Sequence, residues 1–153
     1  MARYQLCYAA MQAGVAFDNG LLHFTHALEH PLSAVSPDLS HGLGLAVLLP
    51  AVILECYPAR PDVLAHILAP LAPGLKGLPE EAPQAAKAVE QWLASVGVPQ
   101  KLEDLGVTAA DVDKFCDLVE QTPSLGLLIS VAPVEGTRER VARIYNNSLK
   151  PMA

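Results

Sequence analysis

Apolar residues recur along this chain at helical spacing, and no stretch of useful length alternates at the period of a strand. "ARYQLCYAAMQAGVAF" opens with helix formers and places Leu6, Ala9, Ala10, Ala13 and Phe17 on one face. "LLHFTHALEH" predicts a second, short helix. Pro31 follows directly, and proline disfavours helical geometry in the residue before it, so this helix is expected to stop at His30 with His26 and His30 in its last turn.

From Ser40, a natural N-cap, an almost wholly apolar helix is predicted to about Cys56, kinked at Pro50. "RPDVLAHILAPLAP" gives a shorter helix bounded by prolines, and "PEEAPQAAKAVEQWLASVG" an amphipathic one closed by Gly97, with Trp92 in the core. "TAADVDKFCDLVEQT", capped by Thr108, and "TRERVARIYNNSL" complete the set. The Pro- and Gly-rich "LAPGLKGLPEEAP" is too short to separate two domains, and neither a repeat nor a βαβ unit is present. The pattern predicts one all-α domain over residues 1–153, a bundle of six to eight helices.

Composition adds a hint of partnership. The chain is 52% apolar but only 17% charged, against about 25% in ordinary soluble domains, so some of its surface is expected to be buried against something else. A net charge of −6 disfavours a nucleic-acid partner, and Arg138, Arg140 and Arg143 form the one basic cluster, placed as the solvated face of the last helix. Cys7, Cys56 and Cys116 are odd in number and set in apolar stretches, which suits reduced core thiols of a cytoplasmic protein. No basic-then-apolar leader opens the sequence. The longest apolar run, Gly42 to Leu54, is too short for a membrane span and is expected to be a buried core helix.

Candidate chemistry concentrates in "HFTHALEHPLSAVSPDLSHG", His23 to Gly42, which holds four of the five histidines. At about 100° per residue, His23, His26 and His30 share an arc of roughly 60° on one helix face. His41 lies a short loop away. Imidazole is a common transition-metal ligand, and a pair at i, i+4 presents two nitrogens to one ion. "HALEH" also spells H-x-x-E-H, the signature of the inverted zinc peptidases, in which His26 and His30 would hold zinc and Glu29 would act as general base. The expected helix stop at Pro31, the small chain and the unexplained His41 all count against that reading. His66, alone on an apolar helix, reads as a packing residue. Asp18 reads as part of a break at "DNG", and the glycines of "HGLGLAVLLP" as sites of close helix approach.

The longer string "AFDNGLLHFTHALEHPLSAVSPDLSHGLGLAVLLPAVI", Ala16 to Ile53, resembles the second signature of the iron-containing (group III) alcohol dehydrogenases. Its elements are H-x-x-x-H-x-L at His26 to Leu32 and, after a short spacer, H-G-x-x-x-A-x-x-x-P at His41 to Pro50. The similarity extends through "TPSLGLLISVAP" to the final helix. The resemblance implies a metal-dependent, NAD(P)-linked dehydrogenase with an α/β nucleotide-binding domain followed by a helical metal domain, this chain matching the helical one. Carried over by position, His26 and His41 are metal ligands and His30 is the active-site histidine beside substrate and nicotinamide. His23 is placed near the site without a role.

The chain lacks the family's G-G-G-S-type phosphate-binding turn, and the family's other two ligands, an Asp and a His four residues later, belong upstream of the matched segment. It is therefore expected to supply half the ligands for Fe²⁺ or Zn²⁺ and no cofactor cradle, and to be inactive alone as a truncated dehydrogenase domain. Its partners would be the missing nucleotide-binding domain or further copies of itself, with a small alcohol or aldehyde as substrate in the full enzyme, and neither nucleic acid nor membrane. Two other readings remain open: a subunit of a split dehydrogenase, or a non-catalytic helical metal-binding or oligomerisation module.

Overall fold

The predicted periodicity resolves into helices throughout the computed structural model, which describes residues 1–152. Among the described residues there are eight α-helices and no strand: α1 (Ala2–Gly20), α2 (Phe24–Val35), α3 (His41–Cys56), α4 (Pro61–Leu68), α5 (Ala82–Ser95), α6 (Val112–Gln121), α7 (Pro123–Ser130) and α8 (Arg138–Leu149).

Local signals set most of the boundaries. Ser40 caps α3, its hydroxyl accepting from Leu43 N–H at 3.3 Å, and Thr137 caps α8 by accepting from Arg140 N–H at 3.3 Å. Thr108 works in the reverse sense, because the Asp111 carboxylate accepts from the Thr108 N–H at 2.8 Å ahead of α6. Gly97, at φ 93°, turns the chain out of α5 where a side chain would be strained.

α3 is apolar on every side because it serves two cores. Val47, Leu48, Ala51, Val52 and Cys56 join the larger cluster with α2, α6, α7 and α8, while Leu49, Ile53 and Leu54 pack on the smaller one of Tyr57, Ala65, Ala85, Val89 and Leu93. Together with the 3₁₀ turn that follows, it runs from His41 to Ala59, 19 residues. That segment is as long and apolar as a membrane-crossing helix, longer than the uninterrupted run in the sequence suggested, but its apolar surface is met by neighbouring helices.

Several expectations are corrected. Pro31 does not stop α2; it sits inside the helix and is buried with Phe24, Ala27, Leu28, Glu29 and Leu32. Burial of that face outweighs the one backbone hydrogen bond that the ring removes. His26 consequently lies in the first turn of α2 rather than the last. "DNG" does not break α1, where Asn19 Nδ2 donates to Val15 O at 2.8 Å; the break comes at Leu21, at φ 58°. Trp92 is 43% exposed rather than in the core, and His66 is exposed rather than packed. Arg140 and Arg143 are not simply solvated, since both grip Glu55 of α3 at 2.9–3.0 Å. The Arg143 hydrogen bonds hold the Glu55 carboxyl below its ordinary range against the opposing effect of burial. Arg138 spans Asp117 and Glu120 of α6 at 2.8 and 3.1 Å.

The thiols divide. Cys56 and Cys116 are buried as expected, and burial pushes Cys56 up to about 11 and raises Cys116 as well, so both are poor nucleophiles. Cys7 is exposed on α1.

The largest departure is α1 itself. Its apolar positions are at helical spacing, yet none of its residues is buried, and Tyr4 and Leu6 are 69% and 70% exposed. A lone helix in water is marginal without a packed face. In hydrogen exchange on this chain, α1 amides are therefore expected to exchange on the order of a hundredfold faster than those in the middle of α3. Equal protection would mean that the apolar face is covered in solution, as in a self-association.

Candidate metal centre

Two short sequence segments meet in space to build the site. His26 and His30 stand one turn apart on α2, and His41 is the first residue of α3, fixed by the Ser40 cap. The ring centroids lie 5.3 Å apart for His26 and His41, 5.9 Å for His30 and His41, and 6.5 Å for His26 and His30. His26 is half-buried, whereas His30 and His41 reach solvent. Burial first, then the neighbouring His41 and His30 rings, lowers the pKa of His26 and favours the neutral imidazole that a metal needs.

The His26–His41 pair fits a shared ion. Metal–nitrogen bonds of about 2.0–2.1 Å at tetrahedral angles put two coordinated imidazole centroids about 5 Å apart, matching the 5.3 Å observed. His30 stands farther from both rings, beside the pair rather than within it. Among the described residues, no three His, Cys, Asp or Glu side chains converge closely enough to enclose an ion. The donor set suits a divalent transition metal but is incomplete, and its open side faces solvent.

His23 does not share the arc. The helix begins at Phe24, so His23 is its N-cap and packs edge-on against Phe24, with centroids 6.2 Å apart. Its Nδ1 is buried with no hydrogen-bond partner, and burial lowers its pKa. His41, from the next helix, takes the third place that helical periodicity gave to His23.

Sequence reasoning also missed what holds His41. Glu29 is fully buried; Ser33 Oγ donates to its Oε1, and its Oε2 meets His41 Nδ1. Gly44, one turn into α3, makes room for it, since a Cβ there would lie 2.8 Å from Glu29 Cγ. The expected close approach of α3 therefore holds at Gly44, while Gly42 faces open space. With both oxygens engaged and shielded from water, Glu29 cannot serve as a peptidase's general base.

Beside His30, a cavity of about 200 Å³ is lined by His30, Pro31, Ala34, Leu118, Thr122 and Leu125. The chain's one Asp-x-x-x-His spacing, Asp62 and His66, lies on α4 against α5. Both residues are exposed, and Asp62 pairs with Arg60 at 3.8 Å.

Residues 1–149 match the profile of the Fe-containing alcohol dehydrogenase family, C-terminal. The long-chain primary alcohol dehydrogenase AdhA of Thermoanaerobacter ethanolicus is 55% identical over 148 residues, covering 97% of this chain and 37% of that protein. The 1,3-propanediol dehydrogenase of Klebsiella pneumoniae is 34% identical over 149 residues, 96% of this chain and 37% of its own length. A solved 1,3-propanediol oxidoreductase superposes with a TM-score of 0.78 at 30% identity, over 92% of this chain and 36% of that one. The alcohol dehydrogenase of Oenococcus oeni gives 0.74 at 29% identity, over 90% and 35%. The chain thus spans somewhat more than a third of the length of the curated relatives it matches.

Proposed function

Because this chain belongs to the Fe-containing alcohol dehydrogenase family and matches its C-terminal part, we propose that it is the metal-binding half of an NAD(P)-dependent dehydrogenase acting on primary alcohols and their aldehydes. The observation that carries this reading is the pairing of His26 and His41 at the separation one ion requires, with His30 beside them.

In this proposal, His26 and His41 hold a divalent ion, Fe²⁺ or Zn²⁺, each through an unprotonated ring nitrogen. When bound, the ion would supply Lewis acidity at the alcohol oxygen, and the nicotinamide would supply a hydride acceptor. His30, exposed beside both ligand rings, is the catalytic residue contributed by this chain: it takes the hydroxyl proton at a ring nitrogen in oxidation and returns it in reduction. The cavity beside His30 offers apolar walls for the alkyl part of the substrate, in keeping with a relative named for long-chain primary alcohols.

The solvent-facing side of the pair is where a nucleotide-binding part would add the remaining Asp and His ligands, on the same polypeptide or a separate subunit. Incomplete enclosure of an ion among the described residues also supports a second reading, in which the chain binds metal or oligomerises without catalysis.

Joining the chain to the nucleotide-binding part of the Thermoanaerobacter ethanolicus relative separates the two. The fusion is expected to oxidise a primary alcohol with NAD⁺ or NADP⁺, followed by nicotinamide absorbance. A folded, metal-loaded fusion without turnover would leave only the non-catalytic reading.

A further inference from the structure

We propose that Glu29 is a positioning residue of the metal centre: its buried carboxylate takes the Nδ1–H of His41 and so presents the Nε2 lone pair of that ring to the ion. The inference rests on the reading of His26 and His41 as metal ligands.

Glu29 is the one fully buried acidic side chain among the described residues. Removing a carboxylate from water carries a large desolvation penalty unless its oxygens are satisfied. No lysine or arginine pairs with it; the two oxygens are met by Ser33 Oγ and His41 Nδ1. With the Glu29 oxygen as acceptor of this bond, the nitrogen facing it carries the proton. The other ring nitrogen then keeps its lone pair.

The placement is mutual. Glu29 is flanked on α2 by His26, three residues before it, and His30, directly after it, while its hydrogen bond reaches across to the first residue of α3. One helix therefore carries the first ligand and aims the second. Gly44 lets the first turn of α3 close over the Glu29 side chain, which fixes the carboxylate against the His41 ring. A carboxylate behind a ligating histidine both selects the tautomer and raises the basicity of the coordinating nitrogen. The residue that gives "HALEH" its peptidase spelling acts behind the metal rather than on a water in front of it.

The tautomer is read directly by ¹⁵N NMR of the imidazoles in the metal-free chain, with His41 assigned through a His41→Asn variant. The expected wild-type pattern is protonated Nδ1 and unprotonated Nε2; the opposite pattern overturns the proposal without any substitution at Glu29. Glu29→Gln keeps the shape but can turn its amide N–H toward His41. It is expected to lose the Nδ1–H bias and to bind Zn²⁺ about 10- to 100-fold more weakly at unchanged stoichiometry, the range typical of lost outer-shell partners. Unchanged Zn²⁺ affinity in Glu29→Gln sinks the role of Glu29 alone, provided His26→Ala weakens binding. Unchanged affinity in His26→Ala as well sinks the metal reading, and this proposal with it.

Discussion

The His26→Ala/His41→Ala double variant is expected to bind Zn²⁺ at least on the order of a hundredfold more weakly than the wild-type chain, because it lacks both imidazoles proposed as ligands. Competition against a chromophoric chelator measures the difference. The two substitutions bear differently on the fold. His26 makes ring contacts with His30 and His41 but no hydrogen bond to the core, so His26→Ala alone should keep the native unfolding midpoint. His41→Ala takes one of two donors from the buried Glu29, and this single variant is expected to unfold at lower denaturant concentration. Weak binding in His26→Ala with an unchanged midpoint assigns the loss to the ligand itself. Binding that survives both substitutions would place the metal elsewhere or nowhere in the chain.

Tyr145→Ala is expected to destabilise the chain by about 3–5 kcal/mol, the usual cost of removing a buried aromatic ring. Tyr145 of α8 is fully buried, lies 5.4 Å from the Phe115 ring, and donates its hydroxyl hydrogen to the Leu28 carbonyl of α2 at 2.7 Å. Burial raises its pKa well above the ordinary tyrosine value, so the phenol remains a donor across the working pH range. Tyr145→Phe removes the hydrogen bond and keeps the ring, so it should cost about 1 kcal/mol. Urea unfolding of both variants tests the division. Equal losses would mean that the hydroxyl, rather than the packing, carries the contact.

What was legible in the sequence was what depends on neighbours along the chain. Ser40 before an apolar run and Gly97 after α5 fix boundaries by a hydrogen bond or a backbone angle within a turn, and each lies where expected. The all-helical class followed from periodicity, and the family followed from the His26, His30 and His41 spacing. What was not legible depends on packing at a distance. Pro31 should have ended α2 by local rules, but apolar contacts on both sides of it keep the helix going. Trp92 sits on an amphipathic helix yet points outward, and α1 has a helical apolar spacing that nothing among the described residues covers. Helical periodicity grouped His23 with His26 and His30 because it presumed one continuous helix; a start at Phe24 removed His23 and left the place to His41. Glu29 was visible as a residue, but its direction was not. Only the crossing of α3 at Gly44 turns it from a surface base into a buried acceptor.

The hydrogen bond from Tyr145 to Leu28 also bears on the order of events as the polypeptide is made. The three histidines lie within one short span of the sequence. The helix whose Tyr145 is bonded to the Leu28 carbonyl between His26 and His30 is synthesised after all three. Until α8 arrives, α3 stands without one wall of its core, so the histidine pair exists as a local sequence before it stands on a rigid scaffold.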